Sequence, residues 1–148
     1  MGIETEESSA TTILDADVMT CGDKQWFDLE AGLESQPQDQ SMIAATTVAE
    51  LWHGTERATK GHKADRERYI RSIIDSLPIL PYTESTGLEQ ARIWAEFESS
   101  GRMIGNHDMI VATTAIEHRC RVATFNNRHF SQERGLKVLE PVVSPHQP

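Results

Sequence analysis

Short apolar runs alternate along this chain with longer segments in which apolar residues recur at helical spacing. The runs are brief and rich in aliphatic or β-branched residues, as the buried strands of a parallel sheet are. They lie at residues 11–14, 42–46, 79–80, 122–125 and 136–139. The alternation predicts an α/β fold, with a mostly parallel central sheet and helices on both of its faces.

Between the strands, apolar residues three or four positions apart are typical of amphipathic helices. A short helix is predicted around residues 26–33, and four longer ones follow it. The longer helices are predicted over residues 47–60, 65–77, 85–99 and 106–118. Helices in these places are the crossover connections that parallel strand pairing requires.

Two of these helices carry further sequence signals. Thr47 and Glu50 have the spacing of a capping box, and Gly61 is expected to end the helix that they begin. In the helix predicted after residue 84, the apolar positions expected to face the core are Leu88, Ala91, Trp94, Ala95 and Phe97. Trp94 is therefore interpreted as a core residue rather than as a platform for a stacked base.

The length of 148 residues is that of one domain. Residues 1–10 are polar and acidic without periodicity, which favours a disordered acidic tail. The folded domain is expected to span residues 11–141, and residues 142–148 are expected to form a C-terminal tail.

The cysteine count and the absence of long apolar segments indicate a compartment. Cys21 and Cys120 are too few for a zinc cluster or a disulfide framework, which favours a reducing environment. No segment approaches the roughly 20 apolar residues that a membrane span needs, and the first residues lack the pattern of a signal peptide. We expect a soluble cytoplasmic protein without a membrane partner.

Charge is distributed unevenly along the chain. The net charge is −9, and the first 40 residues hold ten of the 23 acidic residues but only one base, Lys24. The rest of the chain is neutral and contains locally basic stretches at residues 57–71 and 119–137. These stretches either contact the phosphates of a nucleic acid or are ordinary solvated surfaces.

Four carboxylates lie at predicted ends of elements. Asp15 and Asp17 follow the first strand, Glu50 lies in the helix after the second, and Asp108 lies in the first turn of a later helix. Each has an ordinary explanation: a turn residue, a capping-box partner or an acid favoured by the helix dipole. Because a parallel sheet gathers such positions at one edge, their coincidence favours a functional site.

Clustered carboxylates repel one another, so such a group is stable mainly when a hard cation screens it. Mg²⁺ or Mn²⁺ prefers oxygen ligands of this type. Such an ion can activate water and neutralise charge that develops on a phosphodiester. The chain lacks the sequence motifs of a P-loop, a serine elbow, a zinc-protease helix and a dinucleotide site. The pattern therefore favours metal-dependent hydrolysis of phosphate esters.

Several segments resemble, in order and spacing, the PIN-domain ribonucleases, especially the VapC-type toxins of toxin–antitoxin pairs. The segments are ILDADV, TVAELWHG, IGNHDMIVATTA, VATFNNRHF and GLKVLEP. The resemblance covers about residues 11–141. It implies a three-layer α/β/α sandwich with a parallel sheet, which agrees with the order of elements predicted above.

The resemblance also implies a role for each acidic residue. Asp15 would be the first metal-binding carboxylate, Glu50 the second acid of the site, and Asp108 the third acid and a second metal ligand. Asp17 matches a position that supports the site by hydrogen bonding. The bound ion is expected to be Mg²⁺, with Mn²⁺ as an alternative.

The chain departs from the family pattern at Asn126, which matches a fourth acidic position. An amide supplies no charge but can orient a water molecule or a ligand, so the number of bound ions stays open. Thr124 matches a hydroxyl position beside it, and its ordinary explanation is a strand threonine. The catalytic set implied by the resemblance is Asp15, Glu50, Asp108 and Asn126.

By resemblance, the chain would be a Mg²⁺-dependent endoribonuclease and the toxin of a toxin–antitoxin pair. It would cleave RNA with metal-activated water, and its basic stretches would grip the flanking phosphates. It would form a homodimer and be neutralised by a small antitoxin whose tail enters the acidic groove. Such tails often bring an arginine to the carboxylates.

Two alternatives stay open at this point. The domain could be a degenerate PIN module that binds RNA or a partner without cleavage, given the amide at Asn126. It could also be a phosphatase of the haloacid-dehalogenase type, although Met19 stands where that family has Thr or Val. His53, His107 and His129 are interpreted as bystanders, because none of them is paired at the spacing of metal ligands.

Overall fold

The structure is a computed structural model, and it describes residues 11–23, 40–130 and 135–139. Within these ranges, the side chains of residues 21–23, 127 and 129 are not described. The helix predicted at residues 26–33 and both predicted tails lie outside the described residues. The predicted domain limits therefore stay a prediction.

Five parallel strands form the sheet in the described part of the chain. They are β1 (Thr11–Leu14), β2 (Gln40–Ala44), β3 (Ile79–Leu80), β4 (Arg121–Ala123) and β5 (Val138–Leu139). Their order is β3-β2-β1-β4-β5, and each neighbouring pair is parallel. The predicted parallel α/β fold is confirmed, with β1 at the centre of the sheet.

Helices connect these strands. They are α1 (Ala16–Asp23), α2 (Ala45–Glu56), α3 (Lys60–Ser76), α4 (Glu84–Ser99), α5 (Asn106–Glu117) and α6 (Asn127–Phe130). The sequence analysis did not predict α1, which begins directly after Asp15, because Asp15 and Asp17 are also compatible with a turn after the strand. Within the described residues, none of these helices has the length and apolar character needed to cross a membrane.

Alternate residues of β1 face opposite sides of the sheet and enter different cores. Leu14 packs with residues of α1, α2 and α3, including Met19, Leu51 and Ile70. Ile13 packs on the other side with residues of α5, including Val111. Since successive strand side chains point to opposite faces, both faces are covered and the fold has three layers.

The predicted start and end of α2 are wrong. This helix begins at Ala45, with Ala44 as its N-cap and no side-chain cap. Thr47 therefore lies inside the first turn, where a residue in helical conformation cannot act as the N-cap. Gly61 does not end the helix either, because α2 ends at Glu56 and Gly61 lies exposed within α3.

The prediction that Leu88 and Trp94 of α4 face the core is also wrong. Leu88 is 69% exposed and Trp94 is 52% exposed. The buried face instead includes Ile93 and Phe97, which pack with Met109 of α5. The helix carries two apolar stripes, and helical periodicity alone does not say which of them meets α5.

Replacement of Phe97 by Ala should therefore destabilise the fold far more than replacement of Leu88 by Ala. Phe97 is 2% exposed, and a cavity of this kind costs about 3–5 kcal/mol. Leu88→Ala should change the free energy of unfolding by no more than about 0.5 kcal/mol, as at other surface positions. Urea unfolding at a concentration where the chain is monomeric measures both. Equal losses for the two variants would contradict the assignment of the buried face.

Candidate active site

Four carboxylates lie where the central strands end and helices begin. Asp15 follows β1 directly, and Asp17 lies in the first turn of α1. Glu50 is the sixth residue of α2, and Asp108 lies in the first turn of α5. These elements meet at the carboxyl edge of the parallel sheet, where ligands of open α/β folds bind.

Asp15 is the most buried of these acids, with 5% of its surface exposed. Its Oδ1 accepts a hydrogen bond from the backbone N–H of Ala16 at 2.9 Å. Its Oδ2 accepts one from the hydroxyl of Thr124, also at 2.9 Å. Both carboxylate oxygens are therefore held, one by the start of α1 and the other by the end of β4.

The segment after β4 is folded around these acids. The backbone N–H of Phe125 lies 3.2 Å from Oδ2 of Asp17, and the Thr124 hydroxyl lies 3.3 Å from the same oxygen. The backbone N–H of Asn126 donates to the Thr124 hydroxyl at 2.9 Å. Backbone donors thus fix this segment beside the carboxylates, and the backbone of Asn126 is held next to Thr124.

Glu50 does not cap its helix. Its Oε1 is buried and has no hydrogen-bond partner within the described residues, and the same holds for Oγ1 of Thr47. The capping-box explanation for this acid is therefore wrong. A buried carboxylate oxygen without a partner costs free energy, and it is the kind of atom that a cation or a substrate donor would satisfy.

Burial and neighbouring charge raise the pKa of three of these acids. Burial, followed by repulsion from Asp17, raises the pKa of Asp15 to about 7, although bonds from Thr124 and Ala16 oppose the shift. Burial also raises the pKa of Asp17, with a contribution from the charge of Asp108. Burial raises the pKa of Glu50 too, with Asp108 and Asp17 adding to the shift. The four side chains therefore form one electrostatic cluster.

The cluster fits a hard divalent cation through its charge and its unsatisfied oxygen. Its donors are carboxylate oxygens, which Mg²⁺ and Mn²⁺ prefer. In the described ranges, no three Asp, Glu, His or Cys side chains already converge as a complete ligand set. Mg²⁺ commonly takes one or two carboxylates and completes its shell with water. A pair such as Asp15 and Asp108 is compatible with that mode.

Sequence reasoning missed one part of the site. The side chain of His107, interpreted as a bystander, lies beside Glu50 and lowers the pKa of that acid. Its Nδ1 is 2.7 Å from Oγ1 of Thr46. Because Thr46 is 61 positions away, the sequence contained no sign of this contact. The only signal in the described residues was that His107 directly precedes Asp108. His53 is exposed on α2, and the side chain of His129 is outside the described residues.

Ion pairs in the folded chain neutralise part of the positive charge of the basic stretch at residues 57–71. Three of its cations form ion pairs with acids of α2 or α3. The pairs are Lys63 with Glu56, Arg68 with Asp65, and Arg71 with Asp75. Much of this surface is therefore locally neutral, and we expect its capacity to attract phosphates to lie mainly in the exposed Arg57 and Lys60.

The pH dependence of stability should report the raised pKa of Asp15. Its ordinary value is 3.8, so between that pH and about 7 the folded chain holds a proton that the unfolded chain releases. The resulting stabilisation is fully present below pH 3.8 and is lost as the pH rises through about 7.

Asp15→Asn removes this titration while keeping the shape of the side chain. In EDTA, the variant should gain stability relative to the natural chain between pH 5 and pH 8, as measured by calorimetric Tm. A difference in Tm that stays constant over this range would contradict the raised pKa.

Comparisons with known proteins identify the family of this chain. The model of the family described as PIN domain matches residues 12–134. Ribonuclease VapC1 of Rickettsia felis is 31% identical over 116 residues, which is 75% of this chain and 87% of the relative. The VapC ribonuclease Y4jK of Sinorhizobium fredii is 28% identical over 75% of this chain and 81% of its own length.

Solved structures show the same fold. VapBC2 of Rickettsia felis, bound to a DNA fragment from its promoter, superposes with a TM-score of 0.79 at 21% identity, over 86% of this chain and 96% of that one. FitAcB of Neisseria gonorrhoeae has a TM-score of 0.74 at 27% identity, over 87% and 96%. The fold, the order of its elements and the family match agree, and the chain belongs to the PIN domain family of VapC ribonucleases.

Proposed function

We propose that this chain is a divalent-metal-dependent endoribonuclease and the toxin of a cytoplasmic toxin–antitoxin pair. The observation that carries the proposal is the electrostatic cluster of Asp15, Asp17, Glu50 and Asp108 at one edge of the sheet. The relatives support the choice of substrate, since they are named VapC ribonucleases. Phosphodiester hydrolysis is the chemistry that an acidic, metal-binding site most naturally performs.

Asp15 and Asp108 would hold the cation, as the sequence analysis predicts, and Glu50 would complete the acidic set. A bound Mg²⁺ or Mn²⁺ would lower the pKa of water and neutralise charge on the scissile phosphate. With both of its oxygens held by Ala16 and Thr124, Asp15 presents a fixed carboxylate. Rigid ligands of this kind reduce the reorganisation needed at the moment of reaction.

Glu50 and Asp17 would have different tasks. Asp17 accepts hydrogen bonds from the backbone N–H of Phe125, so its oxygens are already engaged in fixing the segment after β4. Glu50 has a buried oxygen without a partner among the described residues. That oxygen can accept a proton or a hydrogen bond from a water molecule or from the substrate. Glu50 is therefore the candidate base of the site.

Asn126 bears on how many ions the site takes. Its backbone is held next to Thr124, and its side-chain amide would orient a water molecule or the substrate. The amide carries no charge, and this favours one tightly held ion over two. The supporting role of Asn126 is part of the proposal.

RNA would reach this acidic cluster with the help of cations around it. Arg57 and Lys60, at the junction of α2 and α3, are exposed. In the second basic stretch, Arg119 and Arg128 are also exposed. Arg121 instead donates to Thr12 at the opposite, amino end of the strands. The exposed cations of both stretches would contact flanking phosphates.

The proposed partner is a small antitoxin. VapBC-5 of Mycobacterium tuberculosis, which has a TM-score of 0.71 at 24% identity with this chain, is described as a member of a family of toxin–antitoxin systems. An antitoxin tail that carries an arginine would match the charge of the acidic cluster and would block access of the substrate. Inhibition would then be competitive with the cation and with RNA.

The proposed assembly is a homodimer, and α4 offers an apolar face for it. Leu88 and Trp94 are exposed on this helix, on the stripe that does not pack against α5. A groove of about 350 Å³ adjoins Trp94 between α4 and α5. It is lined by Tyr82, Gly87, Gln90, Ala91, Trp94, Asn106 and Ile110. Exposed apolar surface of this kind is typical of a protein interface.

Purified chain should cleave RNA only in the presence of a divalent cation. EDTA should abolish cleavage, and Mg²⁺ or Mn²⁺ should restore it. Asp15→Asn and Asp108→Asn should each reduce the rate roughly a hundredfold or more, because such an ion lowers the barrier by several kcal/mol. The measurement is the initial rate of cleavage of structured and single-stranded RNA.

Asp75→Asn is the matched control, because Asp75 is an exposed acid on α3 that pairs with Arg71. It should cleave RNA at the natural rate. Binding of RNA without cleavage would favour the degenerate module. Hydrolysis of a small phosphate ester without RNA cleavage would favour the phosphatase.

Trp94→Lys should convert the dimer to a monomer, because a charge on the apolar stripe of α4 would have to be desolvated in the interface. Light scattering coupled to size exclusion measures the mass, and circular dichroism checks the fold. Ser72→Lys, at an exposed position on α3, is the control and should remain dimeric. A monomeric natural chain, or a dimer that survives Trp94→Lys, would rule out this face as the dimer interface.

A further inference from the structure

The side chains of Thr46 and His107 join the two helix ends that carry Glu50 and Asp108. Thr46 Oγ1 lies 2.7 Å from His107 Nδ1. Thr46 precedes Glu50 by four residues in α2, and His107 directly precedes Asp108 in α5. The imidazole is exposed, and in its protonated form it lowers the pKa of Glu50. It therefore lies at the rim of the acidic cluster, on the side open to solvent.

The hydroxyl of Thr46 is free to donate its proton to the ring. Later in their helices, Thr55 and Thr113 donate to the backbone carbonyls four residues earlier. Thr46 is the second residue of α2, and the residue four positions before it, Met42, lies in β2. The usual helical acceptor is missing at that position. When Nδ1 accepts the hydroxyl proton, the ring carries its own proton on Nε2.

An RNA phosphate that approaches four carboxylates needs hydrogen-bond donors close to them. The cations of α3 are partly neutralised, since Lys63, Arg68 and Arg71 pair with acids. His107 offers an N–H at the rim itself, on a ring whose other nitrogen is already held. A donor with a fixed direction loses little conformational entropy when it binds a ligand.

We propose that His107 is a substrate-binding residue of this site. Thr46 fixes the ring through Nδ1, and Nε2–H donates to a phosphate oxygen of the RNA that enters the acidic cluster. The inference rests on the proposed ribonuclease function and adds a specific contact to it. Thr46 is then a positioning residue that acts through the imidazole.

Two other roles for His107 are less compatible with the geometry. The ring is exposed and its Nδ1 is bonded to Thr46, whereas Asp15, which would hold the ion, is 5% exposed. The bond to Thr46 is exposed, and exposed bonds add little to stability. A purely structural link between α2 and α5 therefore explains the pair poorly.

The test compares steady-state kinetics of His107→Ala and the natural chain on a labelled single-stranded RNA of mixed sequence. His107→Ala should raise KM roughly tenfold, as expected for the loss of one hydrogen bond to a charged group. The value of kcat should change by less than about twofold, because the contact is made equally in the ground and transition states. Thr46→Val should raise KM by a smaller factor, and Thr46→Ser should restore it.

Two further measurements separate binding from structure, and all kinetics are recorded at saturating Mg²⁺. The Tm should be the same in His107→Ala as in the natural chain. His62→Ala removes an exposed histidine of α3 and should leave KM unchanged. An unchanged KM in His107→Ala or a fall of several degrees in Tm would each overturn the inference.

A failure of the proposed ribonuclease function can be distinguished from a failure of the His107 contact. A natural chain that cleaves no RNA would refute the ribonuclease proposal. Fluorescence anisotropy with the same labelled RNA in Mg²⁺ would then decide the role of His107 separately. Weaker binding by His107→Ala would support the contact, and equal binding or no binding by either chain would overturn it.

Discussion

The hydrogen bond from Thr124 to Asp15 joins the ends of the two adjacent central strands, β1 and β4. It places a donor against a carboxylate that is almost fully buried, where an unpartnered charge would be very costly. The same hydroxyl accepts the backbone N–H of Asn126, and the next backbone donor along the chain, Phe125, reaches Asp17. One threonine thus organises the segment on which the acidic site is built.

The site nevertheless retains repulsion that this segment does not remove. Burial and mutual charge raise the pKa of Asp15, Asp17 and Glu50 together, so the fold holds these acids in a state less favourable than water would offer. Functional sites commonly keep such unfavourable arrangements, at the expense of stability. A divalent cation would relieve the repulsion and would satisfy the partnerless oxygen of Glu50. In this chain, metal binding and stability are therefore expected to be coupled.

The surfaces show how partners would be distributed around this site. Pairs such as Arg68 with Asp65 make part of α3 locally neutral, so the net charge of −9 says little about where RNA would lie. The second apolar stripe of α4, with Leu88 and Trp94, leaves an exposed apolar face. RNA and the antitoxin tail would thus compete for the acidic cluster, whereas a second copy would use the apolar face of α4.

Sequence alone determined the parallel α/β fold, because the composition of buried parallel strands is a local feature. It also indicated the acids of the cluster, because residues that follow parallel strands lie at the same edge of the sheet. It did not determine which stripe of α4 is buried, where α2 begins, or that Glu50 lacks a cap partner. Those outcomes depend on packing between distant segments, which periodicity does not encode. The contact between Thr46 and His107 was decided in the same way, because only the approach of α2 to α5 brings together side chains 61 positions apart.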